Sequence, residues 1–474
     1  MPSHPDPAPP TTQQLAPRDA AFVYMEQPNT PVFIASIYVF DTAADDLGPM
    51  GADEVLEWMD ARLDTAPLFR RRLVRVPFDL DRPYWVADPD LDLRRHVFTE
   101  TLTEPGWDSL RRRILDITEG AVDLSCPPWE LHVITGVRSV PDFPEDATVA
   151  VLKVHHAACD GMASTEIARA LFTGAPVPVR SAAAGRLPAR SALLGGALVR
   201  LPAQVVDLAR GIARTVSASR EVAKAAEQGT LVQPKQLRPK TRFNTKIRGP
   251  RVFDVVTLRL ADIREVKSRV PGTTVNDVVL TTVSIALSEY LNGRGEAPAE
   301  SLAALVPMST RRFRDVDSAN KFVPAFVDLH SDEEPRDRLA AISRSARLER
   351  ERNEHDAVAR ANGMVQVVPG PLVKLMSRVG AWIVGRGPSV AYVNTMVSNV
   401  PRGPADLVLR GARVVTSCEV LALEDDDGLC HYVTSVGDTL TVSFVSTLKM
   451  LPDPEHYGEL LRKAFDRLKD ATAS

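Results

Sequence analysis

The run His155-His156-Ala157-Ala158-Cys159-Asp160-Gly161 gathers two imidazoles, a thiol and a carboxylate within seven residues. A neutral imidazole suits removal of a proton from an alcohol, because its pKa lies near working pH and it can return the proton to a leaving thiolate. No nucleophile on the protein is then needed. If an extended strand runs through both histidines, their side chains point to opposite faces and only one can serve the reaction centre. Asp160 can order the turn, and Gly161 permits tight backbone geometry where a helix begins. The same residues also read as a plain histidine pair at a strand end followed by an N-cap aspartate. His155, His156 and Asp160 are ligand types, yet a third histidine or a further acidic cluster is lacking nearby, so no metal site is assigned. The chain has no G-x-S-x-G elbow, no G-x-x-x-x-G-K-[ST] loop, and no G-x-G-x-x-G after a strand, which removes the usual serine-hydrolase, phosphate-loop and dinucleotide signatures.

Elements on either side must hold this run. Residues 148–156 (TVAVLKVHH) read as a core strand and 162–172 as the helix behind it, with the histidines where strand becomes loop. Upstream, 31–41 (PVFIASIYVFD) is dense in β-branched and aromatic residues, as a buried strand is. Residues 52–64 show a helical face of Val55, Met59 and Leu63; 72–76 and 84–86 read as strands and 108–117 as a helix. Between 174 and 250 the composition shifts to Ala, Arg, Pro and Gly, as in a crossover linker with surface helices. There Leu194, Leu198, Leu201, Val205, Leu208 and Ile212 form an amphipathic stripe opposed by Arg200, Arg210 and Arg214, and Pro202 is expected to break it into two helices. A second α/β pattern starts at 251: strand 252–258, helix 275–291, strand 302–308, and strands near 390–399, 412–420 and 439–448. Asp453-Pro454 opens a closing helix with Tyr457, Leu460, Leu461, Phe465 and Leu468 inward. The resulting division is a disordered tail over 1–14, a first domain over 15–175, a helical crossover linker over 176–250 and a second domain over 251–474.

A chain of 474 residues exceeds the size at which one core stops growing, so two domains with a cleft are the natural prior. The four cysteines, Cys126, Cys159, Cys418 and Cys430, are scattered without a C-x-x-C pair, which fits a reducing, cytoplasmic compartment. A net charge of −4 gives no broad positive field, so nucleic acid is not an expected partner. The first 14 residues lack a basic n-region and an apolar h-region, and no run of about 18 uninterrupted apolar residues marks a spanning helix. Membrane contact is therefore expected to be peripheral. Residues 372–386 place Leu372, Leu375, Met376, Val379 and Ile383 on one helical face with Lys374 and Arg378 on another, and Trp382 suits an interface. Docking of that helix on the protein's own sheet accounts for the pattern as well.

HHAACDG matches the H-H-x-x-x-D-G motif of coenzyme A-dependent acyltransferases with the chloramphenicol acetyltransferase-like fold. Within that superfamily the chain resembles the bacterial wax ester synthase/diacylglycerol acyltransferase family. The resemblance is carried by 15–40 (LAPRDAAFVYMEQPNTPVFIASIYVF), Pro128-Trp129-Glu130, 274–278 (TVNDV), Val306-Pro307-Met308-Ser309 and 397–404 (VSNVPRGP), spread over nearly the whole chain in family order. It implies two similar α/β domains with mixed sheets flanked by helices and an active-site tunnel between them. It also implies that His156 is the base that activates an acceptor hydroxyl for attack on an acyl-CoA thioester, with His155, Asp160 and Gly161 supporting the loop. Fatty acyl-CoA is then the co-substrate, no cofactor is bound, and the acceptor is diacylglycerol or a long-chain alcohol, on a membrane or lipid-droplet surface. Asn276 and Asp277 match the family's N-D element, expected to line or support the channel; as polar residues in a helix's first turn they have a second explanation. Ser398 and Asn399 are expected in a turn after a strand, where they could polarise the thioester carbonyl, though a turn signal explains them too. The chain departs from close relatives at Val32-Phe33, where a Met-His pair is usual, at Ala319-Asn320 in place of Gly-Asn, and at Ser435-Val436-Gly437-Asp438 in place of a tyrosine-containing segment. These bear on the acceptor more than on the reaction. Acyl transfer to a specialised metabolite, and a lipid-surface protein that has lost turnover, are the other readings.

Overall fold

The computed structural model describes residues 12–43, 48–173, 189–233, 235, 237–311, 318–384 and 390–473. The expectations placed on 1–11, on 176–188 and on Arg386 lie outside the described residues.

Two mixed six-stranded sheets form the frame. In spatial order the first holds Val408–Leu409, Ala412–Leu421, Phe33–Asp41, Ala147–His155, Trp129–Val137 and Val97–Thr101. The second holds Phe322–Asp328, Ala303–Ser309, Thr395–Gly403, Cys430–Val436, Thr439–Thr447 and Arg251–Arg259. Strand Phe33–Asp41 shows why its sequence is apolar throughout. Alternate residues point to opposite faces, and here each face is covered by a different core. Phe33, Ala35, Ile37 and Val39 join a cluster that continues into the second half through Phe253, Val278 and Tyr432. Ile34, Tyr38 and Phe40 join a second cluster with Val55 and Met59 of helix Ala52–Asp60 and with Ile167 and Leu171 of helix Gly161–Leu171. Each such buried aliphatic or aromatic side chain contributes roughly 1.5–3 kcal/mol, so the position of this strand is heavily determined. The edge of the first sheet beyond it is completed from far down the chain: Ala412–Leu421 pairs antiparallel with it, Val414 opposite Phe40 and Leu421 opposite Ile34.

The expected elements occur, with boundaries shifted by a residue or a few. Strand Ala147–His155 and helix Gly161–Leu171 bracket the histidine loop. The expected helix over 52–64 stops at Asp60 and continues as a separate short turn, Leu63–Thr65. Strands Trp129–Val137, Phe322–Asp328 and Cys430–Val436 and helices Pro17–Met25 and Pro335–Glu354 were not anticipated.

Three expectations are corrected. Pro202 does not divide its helix, because Arg190–Glu227 runs continuously for 38 residues with the proline inside. Leu198 and Pro202 are both exposed, so the carbonyl of Leu198 that proline leaves without a helical partner is available to water. The same helix is long and apolar enough to cross a membrane by length and composition, and little of its most apolar window is buried. A count of uninterrupted apolar residues misses it because Arg200 and Arg210 punctuate it. Helix Gly370–Ile383 does not dock on a sheet. It packs against helix Pro17–Met25, with Gly370 so close to the Tyr24 ring that a Cβ there would lie 2.4 Å from Cζ. Its Leu375, Met376, Val379, Trp382 and Ile383 stay exposed.

Candidate active site

Strand Ala147–His155 carries its last side chain into the interior and then turns. The amide of Ala157 donates to Nδ1 of His155 at 3.0 Å, and the amide of Ala158 donates to the His155 carbonyl at 2.9 Å. With Nδ1 accepting, the neutral ring carries its proton on Nε2, which lies 3.7 Å from Oε1 of Glu26. His155 is fully buried and its strand partner is Phe33. It is a turn-forming residue, as the alternation of faces required of one histidine.

His156 begins the loop and its ring is half-buried. The Phe22 ring stacks on it with centroids 4.4 Å apart and planes 14° apart, and Phe322 lies at 6.2 Å on a tilted plane. Nδ1 is buried without a hydrogen-bond partner, which leaves Nε2 as the nitrogen open to a substrate. Burial lowers the His156 pKa below its ordinary 6.5; a backbone hydrogen bond opposes it, and lesser effects come from His155, which lowers it, and from Asn320 and Asp160, which raise it. A ring held neutral can accept a proton at neutral pH. The His156 amide donates to the carbonyl of Val32 at 3.2 Å, and its carbonyl accepts from Nδ2 of Asn320 at 2.9 Å.

Asp160 caps helix Gly161–Leu171, Oδ1 accepting from the Ala163 amide at 2.7 Å and from Nη2 of Arg311 at 2.9 Å, while Oδ2 accepts from the Lys321 amide at 2.9 Å. The carboxylate therefore joins the loop to the second half of the molecule. Gly161 packs against Val400; a Cβ on it would stand 2.7 Å from Val400 Cγ2. Glycine is required here by a close approach. Two residues on, Arg402 is fully buried, bonded to Oε1 of Glu419 at 2.7 Å, to Ser164 Oγ at 2.8 Å, to Thr165 Oγ1 at 2.7 Å and to Ser36 Oγ at 3.0 Å. It ties the helix behind the histidine loop to both sheets.

Strand Thr395–Gly403 pairs with Ala303–Ser309 only at Thr395 and Met396. The ladder between the two parallel strands ends there, before Ser398 and Asn399. These two residues lie within a strand, opposite Tyr432 and Val433, and not in the expected turn. Asp277 closes a capping box with Thr274, its Oδ2 accepting from the Thr274 amide at 2.7 Å. Asn276 is half-buried with Oδ1 enclosed and without a partner. No hydrogen bond, ion pair or ring contact joins Asn276 or Asp277 to the histidine loop among the described residues. The structure thus brings together His155, His156, Asp160 and Gly161, with Ser398 and Asn399 on the strand whose Val400 packs against Gly161.

Beside the loop lies a cavity of about 620 Å³, walled by Ala158, Ile167, Asp19, Ser318, Ala319, Trp85 and Arg82, within the size range of small-molecule sites. Of the departures from close relatives, Phe33 is core, 2 % exposed beneath the Lys153 ammonium. Ala319 is on the cavity wall and Ser435 to Asp438 form a hairpin end between Cys430–Val436 and Thr439–Thr447. Sequence reasoning missed Phe22, Asp19, Asn320 as a loop anchor, and the Arg402–Glu419 pair. For that pair the local sequence carries no clear signal: Arg402 follows Ser398, Asn399 and Pro401, and Glu419 shares its strand with Arg413.

Comparison with known proteins identifies the family and the fold. Residues 15–279 match the model of the wax ester synthase/diacylglycerol acyltransferase catalytic domain and residues 319–469 that of the WS/DGAT C-terminal domain. A Mycobacterium tuberculosis protein named for diacylglycerol O-acyltransferase activity is 28% identical over 472 residues, covering 96% of this chain and 91% of the relative. Among solved structures, the wax ester synthase/diacylglycerol acyltransferase of Marinobacter aquaeolei VT8 is similar with a TM-score of 0.64 and 23% identity, covering 97% of this chain and all of that one. The starter condensation domain of rhizomide synthetase, solved with C8-CoA and Leu-SNAC, is similar with a TM-score of 0.55 and 13% identity over 98% of this chain and 95% of that one. The fold is the chloramphenicol acetyltransferase-like one of these neighbours. The chain belongs to the wax ester synthase/diacylglycerol acyltransferase family and is an acyltransferase.

Proposed function

We propose that the protein transfers a fatty acyl group from acyl-CoA to the free hydroxyl of diacylglycerol, forming triacylglycerol. The observation that carries the reading is His156, a half-buried imidazole held below its ordinary pKa at the junction of the two halves, with one nitrogen open. Its Nε2 takes the hydroxyl proton as the oxygen attacks the thioester carbonyl carbon. The carbon–sulfur bond then breaks, and the thiolate takes the proton back from the imidazolium and leaves as coenzyme A. The reaction needs no bound cofactor. Ser398 shares the strand face of Val400, which packs on Gly161, whereas Asn399 points to the other face. Ser398 is therefore the better placed of the two to donate to the thioester oxygen. Relatives named for diacylglycerol acyltransfer support the acceptor, and the neighbour solved with C8-CoA supports an acyl-CoA donor.

Such substrates sit in lipid, and peripheral attachment to a membrane or droplet surface belongs to the same reading. Leu375, Met376, Val379, Trp382 and Ile383 form an exposed apolar face on helix Gly370–Ile383. The adjoining loop offers Phe78, 82 % exposed. Lys374 pairs with Asp79, Arg200 with Asp81 at 2.6 Å and Arg210 with Asp207 at 3.7 Å, so Arg378 and Arg214 are the cations better placed for anionic headgroups. Wax ester synthesis from a long-chain alcohol is the competing acceptor reading, since the family and the Marinobacter neighbour carry both activities in their names.

The test is coenzyme A release from palmitoyl-CoA with diacylglycerol, hexadecanol or no acceptor, in the wild type and His156→Ala. Acceptor-dependent release that falls by at least about a hundredfold in the variant supports the assignment, and the preferred acceptor decides between triacylglycerol and wax ester. Release unchanged in the variant sinks the role of His156.

A further inference from the structure

The short helix Pro17–Met25 touches the catalytic histidine in two independent ways. Asp19 is 4 % exposed and its carboxylate collects four donors from one segment of the second half: Ser318 Oγ at 2.7 Å, the Ala319 amide at 2.9 Å, the Asn320 amide at 3.2 Å and Asn320 Nδ2 at 2.8 Å. That same Nδ2 donates to the His156 carbonyl at 2.9 Å. One helical turn on, Phe22 stacks on the His156 ring. An i, i+3 spacing puts the two side chains on one face of the helix. Arg18 adds a bond from Nη1 to the carbonyl of Phe322, whose ring covers another side of the imidazole.

We propose that Asp19 and Phe22 are positioning residues for acyl transfer: Phe22 sets the plane of the His156 ring and shields it from water, and Asp19, through Asn320, holds the backbone from which that ring projects. The inference rests on His156 as the base and adds what holds it. An imidazole that must meet a hydroxyl proton at about 3 Å loses effectiveness steeply with displacement, and a misplacement of about 1 Å costs on the order of a hundredfold. The Asp19 carboxylate is taken up by four donors from the protein itself, so its loss should appear in kcat. The charged and titratable groups around the ring are His155 and Asp160 on its own loop, Asp19 and Arg18 on the helix, and Arg311 and Lys321 on the facing segment. Phe22→Leu leaves all of them in place and removes only the flat cover. Water then reaches the imidazolium, and the ring titrates closer to 6.5 than in the wild type.

The experiment uses the full chain with Asp19→Asn, Phe22→Leu and Phe22→Tyr, read in two ways. Steady-state kinetics with palmitoyl-CoA and diacylglycerol should show Asp19→Asn lowering kcat by about 10- to 100-fold with KM within about threefold. Phe22→Leu should raise the acid limb of the kcat/KM profile by about half a pH unit, and Phe22→Tyr, which keeps the stack, should restore it. NMR titration of 13C-labelled histidines, with His156 assigned by its loss in His156→Gln, reads the same shift without turnover. That second reading separates this inference from the proposed reaction, because it holds or fails even in a protein that releases no coenzyme A. Thermal unfolding reports damage to the fold as a whole. Superimposable His156 titration curves in wild type and Phe22→Leu, or a kcat within twofold of wild type in Asp19→Asn, overturn the proposal. So does a variant whose entire loss lies in KM.

Discussion

Removing one member of the Arg402–Glu419 pair should damage this protein more than removing both. The two charges are 2.7 Å apart with side chains 1% and 2% exposed. At an effective dielectric of about 20 their attraction is about 6 kcal/mol. Withdrawal of each ion from water costs several kcal/mol, so the intact pair is close to neutral for stability. Arg402→Met leaves Glu419 charged, buried and without its partner, and it also strips Ser36, Ser164 and Thr165 of an acceptor–donor contact. The expected loss is about 3–5 kcal/mol. Glu419→Leu strands the guanidinium at a similar cost. In Arg402→Met/Glu419→Leu no charge is left behind, and the double variant should lose less than either single one. Urea unfolding followed by tryptophan fluorescence and by circular dichroism measures this, with coincident transitions and an unchanged m-value as the condition for reading midpoints as free energies. If either single substitution costs under about 1 kcal/mol, or if the double loss equals the sum of the two, the description of a buried, mutually dependent pair is wrong.

Gly161→Ala drives a methyl to 2.7 Å from Val400 Cγ2; it should cost about 1–3 kcal/mol and lower kcat by shifting the helix that Asp160 caps, and adding Val400→Ala should recover most of both. His431 is buried between Thr395 Oγ1 at 3.0 Å and the Tyr457 hydroxyl at 2.9 Å, and burial lowers its pKa to about 4. Below pH 6.5 the unfolded chain binds this proton and the folded one does not, so stability should fall between pH 6.5 and 4, by up to about 3 kcal/mol. His431→Gln should flatten that window in a pH series of urea midpoints, and an unchanged slope would count against the assignment.

The histidine loop was readable because its information is local. A β-branched run, two histidines and an N-capping aspartate before glycine follow one another within residues 148–161, and the strand, turn and helix they specify are the ones observed. Pro202 misled because its intrinsic cost is real, yet an exposed helix can leave the freed carbonyl to water. Ser398 and Asn399 were placed in a turn because Ser, Asn, Pro and Gly crowd that segment, and tertiary pairing with Cys430–Val436 overrode the local signal. What the sequence could not disclose is pairing at a distance. Asp19 meets Asn320, and Asp160 meets Lys321, across 301 and 161 positions respectively. Neither partner carries a mark of the other. Arg402 and Glu419 likewise carry no mark in the sequence of being each other's partner.

The pairing of Ala412–Leu421 with Phe33–Asp41 bears on how the chain comes to be folded. Until residue 421 is available, Phe33–Asp41 is an open edge of nine apolar-rich residues, a template for pairing with other chains. A ribosome that has finished the first half has therefore not finished the first sheet, and that half released alone should be sticky and chaperone-dependent. Loop closure across some 380 positions slows the final step. Cutting the chain in the crossover and producing the two fragments separately should yield little usable protein, whereas producing them together should let the late strand supply what the early sheet lacks.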